Sequence, residues 1–246
     1  MVMPVLKAVI FDFGGVISAS CWDPYEVAEL ITKVLKRYDV KYPDNFPEIF
    51  REVSDKAFEE MDRTGIEIPL KETVRQALEK ANIDFDELIL EEALELIRDA
   101  PFCIPRPEVK EVLKKIKSLG LKIGLISNTP DVHPFRMLLR EELYNFFDAI
   151  ILSCWTKIRK PNPEIFRIAL RKLKVNANEA IFVGDIPGMD IAGAKAAGIK
   201  TVLMRIGEPY WVMKGVTRKD QNIMPDYEID TLMDLIPIIE REIKEK

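Results

Sequence analysis

The 246-residue sequence has a single histidine, His133, and only three cysteines. One histidine argues against a Ser-His-Asp triad and against a multi-histidine metal site. Cys21, Cys103 and Cys154 lie far apart and form neither a C-x-x-C pair nor a zinc-binding spacing. Carboxylates are therefore the main candidates for chemistry.

A long hydrophobic run and an excess of positive charge are also missing. No apolar stretch approaches the ~18 residues of a membrane span, and the first seven residues lack the pattern of a signal peptide. The formal net charge of -5 predicts no basic surface for nucleic acid or anionic membranes. We expect a cytoplasmic protein without nucleic-acid or membrane partners, and the choice between a monomer and a homodimer stays open.

Five short apolar runs bounded by turn residues predict β-strands, and most of them are continuously apolar. Strands that are covered on both faces have this composition, and helical patterns alternate with the last four runs. The sequence therefore predicts an α/β fold with a parallel sheet flanked by helices. The predicted strands are residues 6–11, 121–126, 149–152, 180–183 and 200–204.

An insertion separates the first two predicted strands. About 110 residues lie between them, against ~30 in an ordinary βαβ unit. This interval contains helical patterns at residues 25–38, 46–61, 70–80 and 84–98 and no convincing strand. We predict a core domain of residues 1–17 and 101–246, interrupted by an α-helical subdomain of residues 18–100.

Polar residues follow four of the predicted strands, at the edge where an open parallel sheet binds ligands. Three of them are carboxylates, which would repel one another unless a cation lies between them. Oxygen ligands without histidine or thiolate favour Mg²⁺. The candidates are Asp12 after the first strand, Ser127 and Asn128 after the second, Lys160 after the third, and Asp185 and Asp190 after the fourth.

These groups indicate phosphoryl chemistry. The Lys160 ammonium and the Ser127 hydroxyl would complement the charge of a phosphoryl group. With that charge screened, the Asp12 carboxylate can act as a nucleophile and form an aspartyl phosphate.

In order and spacing, these motifs resemble those of the haloacid dehalogenase (HAD) superfamily of hydrolases over nearly the whole chain. The resemblance implies a Rossmann-like core, and the inserted helices are similar to the helical cap of the phosphoglycolate phosphatase and dehalogenase branch. It implies a Mg²⁺-dependent phosphatase of a small phosphorylated metabolite, with Asp12, Ser127 and Lys160 as catalytic residues. By the same resemblance, Gly15, Ser127, Asn128 and Lys160 bind substrate, and Asp12, the Gly14 carbonyl, Asp185 and Asp190 form the metal site.

Gly14 departs from the pattern of the family's phosphatases. They usually carry a second aspartate at this position, two residues after the nucleophile, and it serves as general acid and then as general base. A general acid contributes ~10²–10⁴-fold to the rate, and alkoxide leaving groups need it most. The loss of this group would slow catalysis without necessarily abolishing it, and another residue, for example from the cap, or water could take its place.

Besides phosphotransfer, including mutase chemistry, two other functions stay open. A metal-independent 2-haloacid dehalogenase also lacks the second aspartate, although Asp185 would then have no metal ion to bind. The other is a degenerate, non-catalytic relative that binds a phosphometabolite or a protein partner, with Gly14 as the sign that catalysis has been lost. Halide release in the presence of a chelator would favour the first, and Mg²⁺-dependent binding without turnover would favour the second.

Overall fold

A six-stranded parallel sheet forms the centre of the fold. The structure, a computed structural model, describes residues 6–20, 23–206 and 223–244. The strand order is β3-β2-β1-β4-β5-β6, so β1 lies between β2 and β4. The predicted α/β class with a Rossmann-like parallel sheet is confirmed. The strands are β1 (Ala8–Phe11), β2 (Lys122–Ser127), β3 (Ala149–Leu152), β4 (Ala180–Gly184), β5 (Lys200–Met204) and β6 (Tyr227–Ile229).

The helices fall into two groups. Four of them lie within residues 18–100, where the insertion is predicted, and the others surround the sheet. In the described residues they are α1 (Pro24–Arg37), α2 (Phe46–Thr64), α3 (Leu70–Lys80), α4 (Glu87–Asp99), α5 (Val109–Ser118), α6 (His133–Arg140), α7 (Ser153–Thr156), α8 (Pro163–Leu173), α9 (Ala192–Ala196) and α10 (Leu235–Lys244). None of the helices in the described part of the chain is long and apolar enough to cross a membrane.

Helices cover both faces of the sheet, which is why most residues of its strands are apolar. Successive side chains of a strand alternate between the two faces. In β1, Val9 and Phe11 belong to the apolar cluster formed with α5 and α10, whereas Ala8 and Ile10 belong to the cluster formed with α8 and α9. The strand is therefore buried on both sides, and its end is a rigid support for the residue that follows it.

Helices α1–α4, here called the cap helices, pack around a hydrophobic cluster of their own. Phe46 and Phe50 of α2 are fully buried in it. The start of α4 is fixed by Asp86, whose side chain accepts a hydrogen bond from the Ile89 N–H at 2.9 Å. The boundaries of the inserted subdomain at residues 18 and 100 stay a prediction.

The chain leaves and re-enters the core at one place. The Ala19 N–H donates to the Ile104 carbonyl at 2.8 Å, and Ser18 pairs with Pro105 in an isolated antiparallel bridge. The two segments that join the cap helices to the core therefore run side by side.

The loop between α2 and α3 makes a second contact with the core. Ile66 pairs with Ile158 in an antiparallel bridge, and the Leu70 N–H donates to the Pro130 carbonyl at 3.0 Å. Between the cap helices and the strand ends lies a cavity that residues from both sides line.

Two elements differ from the sequence-based prediction. β6 was not predicted, because it has only three residues and pairs with a single neighbour, β5, at the edge of the sheet. One of the helical patterns that alternate with the predicted strands, residues 189–197, instead forms a π-helical turn, Pro187–Ile191, followed by α9. The turn packs tightly against β4, since a Cβ on Gly184 would lie 2.3 Å from the Asp190 Cβ.

Candidate active site

The polar residues predicted from four strand ends meet in the cavity. Asp12, Ser127, Lys160 and Asp190 all line it and are all buried. Ser127 ends β2, and the other three follow a parallel strand or the segment after it, so the strand order of the sheet brings them to one edge. Asp185 is half-buried and contributes its carboxylate to the same group.

Three carboxylates lie unusually close together at this edge. One carboxylate oxygen from each of Asp12, Asp185 and Asp190 lies within 4.8 Å of the other two, and the buried Asp185 Oδ1 has no hydrogen-bond partner in the described part of the chain. Burial raises the pKa of Asp12 to about 6, and the Asp190 charge adds to this effect. Burial, together with the charges of Asp12 and Asp190, raises the pKa of Asp185 well above its usual range. A site that offers only oxygen ligands and carries excess negative charge fits Mg²⁺.

Lys160 supplies the positive charge of the site. Its Nζ lies 2.5 Å from Asp12 Oδ1 and 2.6 Å from Asp190 Oδ1. Burial lowers the pKa of Lys160, but the two carboxylates outweigh it and hold the pKa above its ordinary value. The ammonium therefore stays charged at neutral pH.

Asn128 holds the backbone of Lys160 in place. Its Oδ1 accepts the Lys160 N–H at 2.8 Å, and its Nδ2 donates to the Lys160 carbonyl at 3.0 Å. Both polar atoms of the Asn128 side chain thus form hydrogen bonds within the protein. The contact between Asn128 and substrate stays a prediction.

The loop after β1 approaches Asp185 closely because it contains glycine. Gly15 has a φ of +77°, and a Cβ there would lie 2.4 Å from Asp185 Oδ2. The Gly15 carbonyl accepts a hydrogen bond from Arg106 Nε at 2.7 Å, a contact that the sequence did not predict. Gly14 lines the cavity. A substrate contact at Gly15 stays a prediction.

Asp190 orients the residues around it. Its Oδ2 accepts hydrogen bonds from the backbone N–H groups of Asp185 and Ile186, at 3.1 and 3.0 Å. Its Oδ1 forms the ion pair with Lys160. Asp190 therefore connects the lysine to the turn that carries Asp185.

Sequence reasoning missed an ion-pair network beside this site. Arg159 is 4% exposed; its Nη1 lies 2.6 Å from Glu67 Oε2, and its Nη2 lies 3.4 Å from Asp62 Oδ1. The network connects the core to α2 and to the loop after it. The only sequence signal is the position of Arg159 next to Lys160, and a cluster of basic residues is also typical of a solvent-exposed surface.

His133 lies in the same cavity. It is buried, its Nε2 is 3.2 Å from the Ile97 carbonyl, and its Nδ1 has no hydrogen-bond partner among the described residues. Burial is the main reason that the pKa of His133 lies below its usual value. We therefore take the ring as neutral, with Nε2–H donating to Ile97.

Comparison with known proteins decides the family. A family model described as a haloacid dehalogenase-like hydrolase matches residues 6–198. The chain belongs to the haloacid dehalogenase-like hydrolases. The matched span contains every residue of the candidate site, and the family expected from the motifs is confirmed.

Individual HAD proteins are similar to the chain over most of its length. The glyceraldehyde 3-phosphate phosphatase of Methanopyrus kandleri is 27% identical over 243 residues, 98% of this chain and 100% of that protein. The protein of the same name from Pyrococcus abyssi is 37% identical over 136 residues, 55% of each chain. Among solved structures, 2-haloacid dehalogenase from Pseudomonas syringae pv. Tomato has a TM-score of 0.70 and 26% identity, covering 96% of this chain and 99% of that one.

Proposed function

We propose that this HAD hydrolase is a Mg²⁺-dependent phosphatase that acts on a small phosphorylated metabolite through an aspartyl phosphate on Asp12. The main support is the geometry around Asp12, a buried carboxylate at a strand end with the Lys160 ammonium 2.5 Å away. The phosphatase names of the Methanopyrus and Pyrococcus relatives support the same reaction.

In the first step, Asp12 attacks the phosphorus atom of the substrate. The Lys160 ammonium and the Ser127 hydroxyl hold the phosphoryl oxygens, so that the nucleophile and the leaving oxygen lie in line. Mg²⁺, when held by Asp12, the Gly14 carbonyl and Asp185, supplies further neutralisation of the phosphoryl charge. The bond from phosphorus to the leaving oxygen breaks, and Asp12 carries the phosphoryl group.

In the second step, water attacks the phosphorus atom of the aspartyl phosphate. The electrons of the Asp12–phosphorus bond return to the carboxylate, and inorganic phosphate leaves. Asp190 keeps Lys160 and the Asp185 turn in position through both steps. The cap helices form the outer wall of the cavity and exclude bulk water.

Glyceraldehyde 3-phosphate is the first substrate to examine. The support for it is the name of the Methanopyrus relative, which aligns with this chain along its whole length. The outer wall, formed partly by the cap residues Pro24 and Phe58, is the part of the cavity that would contact the carbon chain of a substrate.

The proposal is tested by phosphate release from purified protein. We expect hydrolysis of p-nitrophenyl phosphate and of at least one phosphorylated metabolite with Mg²⁺, and loss of both activities with a chelator or in Asp12→Asn. The control is Asp84→Asn, which removes an exposed aspartate outside the cavity. Activity that persists in Asp12→Asn, or a complete lack of phosphate release by the metal-loaded protein, contradicts the proposal.

A second candidate is a 2-haloacid dehalogenase. The similarity to the Pseudomonas enzyme and the glycine at position 14 favour it, whereas the Asp185 carboxylate, which that chemistry does not use, opposes it. Here Asp12 would attack carbon, halide would leave, and water would hydrolyse the ester. Chelator-resistant halide release from a 2-chloro acid would establish this reaction. Mg²⁺-dependent ligand binding without any turnover would instead indicate a non-catalytic relative.

A further inference from the structure

The proposed phosphatase reaction requires a proton donor for the leaving group. An alkoxide is a poor leaving group, so its oxygen must gain a proton as its bond to phosphorus breaks. Gly14, which follows the nucleophile by two positions, has no side chain that could supply a proton. The donor must therefore be another group of the cavity, and its assignment rests on the proposed function.

The donor must stand on the cap side of the cavity. Asp12 lies on the floor, at the carboxyl end of β1, and the leaving oxygen lies on the opposite side of phosphorus in an in-line displacement. The leaving group therefore faces the wall that the cap helices build. Within the described part of the chain, this wall consists of Pro24, Phe58 and Asp62, and Asp62 is its one titratable group.

The surroundings of Asp62 favour its protonated form more than water does. It lies in the last turn of α2, and its side chain is 13% exposed. Burial raises its pKa, and Arg159, with Nη2 at 3.4 Å, opposes this only in part. Arg159 is held more closely by Glu67, at 2.6 Å, so it does not form a tight pair with Asp62.

Other titratable groups of the cavity are unsuited to this task. Asp12 and Asp190 share the ammonium of Lys160. His133 is neutral, with its N–H directed at the Ile97 carbonyl, so its Nδ1 has no proton to give. Cys103 is packed in the apolar cluster between the sheet and α5.

We propose that Asp62 is the general acid and general base of this enzyme. Its carboxyl donates a proton to the leaving oxygen, which receives the electrons of the breaking phosphorus–oxygen bond and departs as an alcohol. The resulting Asp62 carboxylate, steadied by Arg159, then takes a proton from the water that attacks the aspartyl phosphate. As that bond to phosphorus forms, the Asp12–phosphorus bond breaks, and Asp62 is protonated again for the next cycle.

The test compares two esters in wild-type protein and in Asp62→Asn. We expect kcat/KM to fall ~10²–10⁴-fold for an alkyl phosphate, the contribution of a general acid, and to change little for p-nitrophenyl phosphate, whose leaving group departs without a proton. Glu59→Gln, an exposed carboxylate one turn earlier on α2, is the matched control and leaves both values unchanged. Equal losses on the two esters, or no loss, overturn the assignment, because a purely structural role of Asp62 would affect both alike.

A second measurement does not depend on the variant. Across a series of phosphate esters, wild-type kcat/KM is expected to depend weakly on the pKa of the leaving alcohol or phenol. A steep dependence, or hydrolysis of the nitrophenyl ester alone, overturns the role of Asp62. If the wild type hydrolyses no ester at all, it is the proposed phosphatase function that fails.

Discussion

Charge balance around Lys160 dominates the site at the scale of single residues. Three carboxylates surround one ammonium, so two negative charges remain unbalanced when all of them are ionised. Burial is the main cause of the raised pKa values of Asp12 and Asp185, and the charges of the neighbouring carboxylates add to it. A divalent cation would remove the excess negative charge, and this predicts how metal binding depends on pH.

We expect Mg²⁺ to raise the thermal unfolding temperature more at pH 7.5 than at pH 5. The pKa of Asp12 in the folded protein, about 6, lies above its ordinary value of 3.8. In the absence of metal, the contribution of Asp12 to the free energy of unfolding therefore falls as the pH rises from 3.8 to about 6. Above this window the ionised carboxylates would bind Mg²⁺, and below it protons would compete with the ion. Differential scanning fluorimetry with and without Mg²⁺ measures the shift.

The matched control for this experiment is Asp185→Asn, which removes one of the expected metal ligands and should abolish the shift at pH 7.5. A shift that is equal at the two pH values would show that Mg²⁺ binds elsewhere. The absence of a shift at both would contradict the predicted metal site.

At the scale of elements, the loop between α2 and α3 is held to the core by a buried ion pair. The side chains of Glu67 and Arg159 are 0% and 4% exposed, and Ser153 Oγ also donates to Glu67. Removing one partner of a buried pair leaves an uncompensated charge, which is more costly than losing a surface pair. The contact between cap helices and core therefore depends strongly on both residues.

We expect Glu67→Ala to lower the free energy of unfolding by about 3–5 kcal/mol, because Arg159 keeps its burial and loses its close partner. Urea unfolding followed by circular dichroism measures the change. Glu52→Ala, which breaks exposed pairs with Lys56 and Lys80, is the control and should have no measurable effect. Equal effects of the two substitutions would show that the buried pair does not stabilise the fold.

The elements differ in how far the sequence predicts them. Continuous apolar runs predict β1 to β5, because strands buried on both faces need them. The π-helical turn could not be predicted, since it arises from the approach of Asp190 to the backbone after Gly184. Strand ends likewise predict the positions of Asp12 and Lys160. The Glu67–Arg159 pair spans 92 residues of sequence, and no local pattern encodes such a contact.

At the scale of the whole molecule, the order of the strands predicts where the fold opens first. β1 and β4 have hydrogen-bonded neighbours on both sides, whereas β6 pairs only with β5 at the edge. We expect amide exchange to be slowest in β1 and β4 and fastest in β6, because interior strands open only with the global unfolding. Hydrogen–deuterium exchange with mass spectrometry measures this order. Protection of residues 227–229 equal to that of β1 would contradict it.

The adjacent crossing points at Ala19 and Ile104 have a consequence for how such enzymes diversify. A subdomain that is inserted at a single point of the chain can be lengthened, shortened or exchanged while the sheet keeps its register. The residues at the strand ends are thus retained together with the sheet, whereas the preference for a particular ester can change with the inserted subdomain. With Asp62 as the proton donor, however, one catalytic residue belongs to the inserted subdomain. An exchange of that subdomain would alter the chemistry as well as the substrate selectivity.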